Sequence, residues 1–188
     1  MPGVILGVDP GLTRCGVALL SAKSSRQIEL LHVDTIKTSA DVELSIRLGV
    51  IADGIEELIQ QYKPSQIAIE RVFAQANVRS VMGVAQISGV VLYLARRHGI
   101  PVQMHTPSEV KAAVTGSGRA QKAQIGSAVA KILGLAEIPH PADSADAIAI
   151  AICNAWKNSS IAGSAGKTTP AQAAWLAAER VASRRPKA

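Results

Sequence analysis

Apolar and polar positions divide the chain into short β-rich runs and longer stretches of helical period. Val4-Ile5-Leu6-Gly7-Val8 is apolar and stops at Asp9 before the turn pair Pro10-Gly11, as a buried strand ending in a turn does. Gly16 to Leu20 resumes the pattern and predicts a hairpin, and Ile28 to Ile36 alternates well enough for a third strand. Between Asp41 and Tyr62 the residues Leu44, Ile46, Leu48, Ile51, Ile55, Leu58 and Ile59 follow a carboxylate-rich start. Their spacing predicts an amphipathic helix over 41–62.

Pro64-Ser65 ends that helix, and Gln66-Ile67-Ala68-Ile69 reads as a buried strand finishing on Glu70. Val78 to His98 is a long apolar-rich helix closed by Gly99-Ile100-Pro101, and Val102 to His105 is a further strand. Thr106-Pro107-Ser108-Glu109 has the form of a capping box with proline at the first helical position. Gly116-Ser117-Gly118 separates that helix from another over roughly Gln121 to Leu133. The alternating Ala and Ile of 147–152 fit either a period-two strand or a helix buried on most sides. Alanine content and the preceding His140-Pro141 favour the helix. From Asn158 the composition turns to Ser, Gly, Ala, Lys and Thr. Residues 1–157 are therefore read as one domain, and 158–188 as a flexible basic tail in which 171–181 fits a short helix. This order implies an α/β fold with a mixed five-stranded sheet. An antiparallel meander of the first three strands is extended by two parallel strands through right-handed crossovers, with helices flanking.

The 188 residues, 48% of them hydrophobic, suffice for one packed domain. Twenty Lys and Arg against fourteen Asp and Glu leave a charge of +6, which suits a polyanionic partner and equally an ordinary basic protein. The two cysteines, Cys15 and Cys153, are far apart in apolar surroundings, which argues against zinc and for buried free thiols. The start has no basic region ahead of its apolar run, and the apolar stretch 147–155 is far short of the ~20 residues that span a bilayer. A soluble, cytoplasmic protein is expected.

The candidate chemistry lies in four acids. Asp9 and Glu70 each end an apolar strand, so neighbouring strands would bring both to one sheet edge. Asp143 and Asp146 are three apart and share a helix face. Gathered together, such carboxylates repel one another unless hard divalent cations neutralise them. Two Mg²⁺ ions, with Mn²⁺ able to substitute, would supply the charge for phosphodiester hydrolysis. Each acid also has a plain structural role open to it. Asp9 suits a turn, Glu70 an ion pair with Arg71, and Asp143 a helix N-cap. Asp146 is harder to explain so, since it precedes a run of Ala and Ile where a lone carboxylate is costly.

Four separated segments resemble the crossover junction endodeoxyribonuclease RuvC family: Gly7-Val8-Asp9-Pro10-Gly11-Leu12-Thr13-Arg14-Cys15-Gly16, Ile69-Glu70-Arg71-Val72-Phe73, Thr106 to Lys111, and Ala142-Asp143-Ser144-Ala145-Asp146-Ala147. They occur in order between Val4 and Trp156. The resemblance implies a ribonuclease-H-like fold and a Holliday-junction resolvase acting as a homodimer. Such an enzyme nicks a four-way junction DNA symmetrically, with Mg²⁺ on Asp9, Glu70, Asp143 and Asp146. It further implies that Phe73, the single Phe of the chain, probes opened bases, where stacking is worth ~1–3 kcal/mol per base. Lys111 and Lys122 would lie near the scissile phosphate. Arg79 and Arg119 are added as DNA-binding candidates, with Gly116-Ser117-Gly118 able to bring backbone N–H groups to phosphate. The helix over 78–98 would carry the dimer contact through Val81, Ala85, Ser88, Val91 and Leu92, although a core-facing stripe reads the same. The RuvA–RuvB branch-migration motor is the implied partner complex. On the residues themselves, Phe73 equally suits a core position, and both lysines a solvated helix face.

Three other readings compete. A sugar kinase or actin-like ATPase shares the strand–Asp–x–Gly–hairpin pattern but needs two such domains, and this chain is too short. A non-catalytic junction-binding module would use the acids structurally. A general duplex nuclease or ribonuclease H would share the chemistry and differ in substrate.

Overall fold

The computed structural model describes residues 3–23, 27–71 and 78–164. Five strands form one sheet: β1 (Gly3–Asp9), β2 (Arg14–Ala22), β3 (Ile28–Lys37), β4 (Gln66–Glu70) and β5 (Val102–His105). Their order is β3-β2-β1-β4-β5, with β1, β2 and β3 antiparallel and β4 and β5 parallel to β1. The expected meander with a parallel extension is the observed sheet. Five helices flank it: α1 (Leu44–Tyr62), α2 (Val78–Arg97), α3 (Pro107–Thr115), α4 (Lys122–Leu133) and α5 (Ala142–Ser164).

Strand alternation decides which face each residue serves. Leu6 and Val8 of β1, Val17 and Leu19 of β2, and Ile67 and Ile69 of β4 pack with Ile51, Ile55 and Ile59 of α1 and Ile87, Val91 and Leu94 of α2. On the other face Ile5, Ala18, Leu20 and Ala68 meet Val110 and Val114 of α3, Ile125 and Val129 of α4, and α5 from Ala147 to Ala155. Each fully buried Ile or Leu contributes about 1.5–3 kcal/mol of transfer free energy. Two such layers hold the sheet between them. By the same parity Gly7 and Asp9 fall on the α5 face, as does Glu70, two residues beyond Ala68.

α5 lies close to the sheet because two strand positions carry no side chain. A methyl group on Gly7 would overlap the carbonyl oxygen of Ala147, and one on Gly16 would overlap that of Asp143. Ala147 and Ala151 are themselves small and wholly buried. The helical alternative for 147–152 is the observed one, since every residue from Ala147 to Cys153 is buried.

Three sequence expectations change. α1 begins at Leu44, so Asp41 and Glu43 precede it and its first turn holds no acid. The local period could not distinguish an acidic approach from an acidic first turn. α5 continues to Ser164, past the expected boundary at 158, because Asn, Ser and Ala carry a helix onward that is already anchored. The rest of the tail lies outside the described residues. On α2, Val91 and Ser88 are buried, whereas Met82, Ala85, Gly89, Leu92 and Tyr93 are exposed. The solvent stripe is therefore rotated from the expected Val81-Ala85-Ser88-Val91-Leu92 set. Two other expectations hold. Both cysteines are free and buried, and Thr106 caps α3 through a complete capping box with Glu109. Among the described residues, no helix is long and apolar enough to cross a membrane.

Candidate active site

β1 and β4 run parallel, with Val8 opposite Ile69 in register. One residue further each strand ends on its acid, Asp9 and Glu70. On the antiparallel side Asp9 stands opposite Gly16, the residue that lets the first turn of α5 come down onto the sheet. That turn carries Asp143, with Asp146 one turn onward. Asp9, Asp143 and Asp146 each offer a carboxylate oxygen, and these oxygens all lie within 4.8 Å of one another. Glu70 joins Asp9 and Asp146 in lining a cleft of about 210 Å³ whose other walls are Pro107, Val110 and Lys111 of α3, Lys122 and Ile125 of α4, and Ile150 of α5.

The acids disturb each other strongly. Burial is the first cause that pushes Asp9 up from 3.8 to about 7, followed by the charges of Asp146, Glu70 and Asp143, with Lys122 opposing. Burial and then Asp146 raise Glu70 as well, against the pull of Lys111 and Lys122. Lys122 Nζ lies 3.2 Å from Asp146 Oδ2, and this carboxylate is the main reason the ammonium holds its proton more tightly than usual. Lys122 is the first residue of α4, the end of a helix where its dipole disfavours a cation. Its position serves the acids rather than the helix.

Asp143 has a cation of its own. Arg14 Nε lies 2.7 Å from Asp143 Oδ2, the arginine half exposed and the carboxylate one-quarter exposed. Asp143 thus belongs to the oxygen cluster but does not line the cleft. The sequence patterns single out no role for Arg14 beyond its place in the opening motif. The signal available in the sequence was a basic residue starting the strand directly after the Asp9 turn. The buried hydroxyls of Thr35 and Ser144, 3.1 Å apart, tie β3 to the same turn of α5.

Three half-buried carboxylates with oxygens this close, and no protein donor between them sufficient to neutralise all, fit a hard divalent cation with oxygen ligands. The donor set offers no sulfur or nitrogen to favour a softer metal. The cluster could hold a metal ion.

A sequence model of the family described as crossover junction endodeoxyribonuclease RuvC matches residues 5–154. The crossover junction endodeoxyribonuclease RuvC of Leifsonia xyli subsp. xyli is 52% identical over 96% of this chain and 93% of its own.

The chain belongs to the RuvC family.

The RuvC of Clavibacter michiganensis subsp. michiganensis is 53% identical, over 94% of this chain and 96% of its own. Among solved structures, T. thermophilus RuvC in complex with Holliday junction substrate is similar with a TM-score of 0.80 at 34% identity, covering 84% of this chain and 96% of that one. The ribonuclease-H-like fold expected from the motifs is the RuvC fold seen here. Family membership also sets aside the kinase and actin-like ATPase readings.

The other site candidates distribute unevenly. Lys111 and Lys122 reach the cleft. Arg119 is exposed in the α3–α4 loop and is not among the cleft's lining residues. Phe73 lies outside the described residues, and Arg79 sits in α2 with its side chain outside them.

Proposed function

We propose that this chain resolves four-way DNA junctions by metal-dependent hydrolysis of phosphodiester bonds, in homologous recombination and DNA repair. The observation that carries the proposal is the meeting of Asp9, Asp143 and Asp146 oxygens within 4.8 Å, with Glu70 in the adjoining cleft. Two Mg²⁺ ions, for which Mn²⁺ can substitute, are the group this set would hold. When bound, they polarise the phosphodiester and steady its attacking and leaving oxygens.

The chain's own residues do the rest. Asp9 and Glu70, fixed on strand ends, and Asp143 and Asp146, fixed on α5, would hold the cations in place and so fix where the reacting phosphate can sit. Lys111 and Lys122 on the cleft wall offset negative charge that grows on the phosphoryl oxygens. Val110, Ile125 and Ile150 add apolar lining to the cleft, which strengthens each of these charge interactions. Phe73 follows β4 closely in sequence and is assigned to stacking on opened bases, and Arg79 and Arg119 to the DNA backbone.

A homodimer would place two such sites on the two strands to be nicked. The exposed stripe of α2 supports it, because Met82, Ala85, Gly89 and Leu92 are spaced three, four and three, the seam spacing of paired helices. A cytoplasmic location and partnership with the RuvA–RuvB motor belong to the same proposal.

Competition among a four-way junction, a linear duplex and an RNA–DNA hybrid in Mg²⁺ tests the assignment. The junction should be cut preferentially, with paired symmetric nicks. Preference for the hybrid would overturn the resolvase reading in favour of a ribonuclease H. Junction binding without any cleavage would favour the non-catalytic module.

A further inference from the structure

Arg47 is a cation in the wrong place for stability. It sits in the first turn of α1, only 9% exposed, and a helix N-terminus disfavours positive charge. A buried guanidinium, a permanent cation, normally has a carboxylate beside it. Arg47 has none among the described residues: its Nε donates to the Thr38 hydroxyl at 2.9 Å and its Nη2 to the Thr13 hydroxyl at 2.9 Å. Glu43, one turn before it, accepts instead from the Ser45 hydroxyl, and Asp41 accepts from that of Ser39. The remaining amino group, Nη1, has no acceptor among the described residues, yet it is not sealed from solvent.

Both hydroxyl partners are themselves braced. Thr38 donates its hydroxyl to the Leu12 carbonyl and its N–H to the Thr13 carbonyl, at 2.5 Å and 3.0 Å. The guanidinium is thus clamped against the turn 10–13 that joins β1 to β2, directly after Asp9. Thr13 is followed by Arg14, which reaches Asp143. A continuous line of contacts therefore runs from Nη1 to the acid cluster along one end of the sheet.

We propose that Arg47 is a preorganised binding position for a DNA backbone phosphate flanking the cut. The inference rests on the nuclease reading above and adds a contact outside the acid cleft. A guanidinium already immobilised by Thr13 and Thr38 loses little rotamer freedom on meeting an anion, and the phosphate supplies the charge partner that the protein withholds.

The test is junction binding in Ca²⁺, titrated at several salt concentrations, for the full chain and two variants. Each phosphate contact contributes about 0.9 to the slope of log affinity against log salt. Arg47→Gln should lower that slope by about 1 and weaken binding, with its melting temperature recorded alongside. Arg47→Lys keeps the charge but not the fork, so it should keep the slope while binding more weakly. An Arg47→Gln protein that melts earlier but retains the full slope would make Arg47 a structural staple and overturn the inference. If Arg47→Gln does not fold, Arg47→Lys decides: weakened junction binding supports the contact, and unchanged binding refutes it. Failure of the unaltered chain to bind a junction at all would instead count against the nuclease reading. Competition by inorganic phosphate at equal ionic strength separates the sources of the anion. If it abolished the difference between the unaltered chain and Arg47→Gln at millimolar concentration, the position would belong to free phosphate.

Discussion

Replacing Asp9 with Asn should make the metal-free protein more stable in alkali and remove its response to metal. The asparagine is nearly isosteric, so packing is conserved and the change is one of charge. Asp9 ionises at its ordinary 3.8 in the unfolded chain but only at about 7 when folded. Below 3.8 both states hold the proton and nothing is lost. As the pH rises from there the unfolded chain releases its proton first, so stability drains away until the folded carboxyl also ionises near 7. At about 1.4 kcal/mol per pH unit, the loss over that window is on the order of 4 kcal/mol. The Asn variant escapes it, so the two proteins should melt alike at pH 4. At pH 8 the variant should melt higher, by on the order of 10 °C for a chain of this size. Thermal melts by circular dichroism from pH 4 to 8 in EDTA provide the measurement. Added Mg²⁺ should close most of that gap, since saturation at a hundred times the dissociation constant stabilises the unaltered chain by about 2.7 kcal/mol. The variant should gain little, bind junctions, and not cut them. Parallel curves for the two proteins at every pH would refute the reasoning, because they would mean that neither burial nor the neighbouring acids make Asp9 hold its proton.

Lys122→Ala should slow cleavage about 100-fold, the usual scale for removing one group that faces developing charge, with junction affinity changed far less. Single-turnover cleavage beside equilibrium binding checks this, and equal losses in both would assign Lys122 to DNA affinity alone. Gly16→Ala should destabilise by about 1–3 kcal/mol through overlap with the Asp143 carbonyl. It should also lower metal affinity, read by Mn²⁺ titration, because α5 must retreat from Asp9; unchanged affinity would detach that helix position from the site. Tyr93→Asp, at a residue 64% exposed on α2, should shift sedimentation towards monomer, and a persistent dimer would place the contact elsewhere.

Most of the site was legible because its acids interrupt patterns that are otherwise strict. Asp9 and Glu70 end apolar strands, and Asp143 and Asp146 begin a helix rich in Ala and Ile. What could not be read was the spacing between layers. Gly7 and Gly16 look like ordinary members of strands until α5 is laid across them, and only then does each prove to be the space for a carbonyl. The α2 stripe failed for a related reason. An apolar helix offers two faces of similar composition, and the sheet chooses between them by burying Ile87, Val91 and Leu94.

Cations show the same limit from the other side. A sequence pattern can nominate Lys111 and Lys122 near a phosphate, but it cannot say which acid each will meet, since helix order along the chain does not fix distance in space. In the fold, Lys122 pairs with Asp146 and Arg14 with Asp143, so the two acids of α5 each have a cation, one from α4 and one from β2. Asp9 and Glu70 have no ion-pair partner among the described residues, and they are the two acids whose protons are held too tightly. The uncompensated charge therefore lies at the ends of β1 and β4. A divalent cation that enters there relieves repulsion without moving the scaffold, whereas one drawn to Asp143 must first compete with Arg14. The fold thus makes the four acids unequal before any substrate arrives, and the order in which ions bind should follow that inequality.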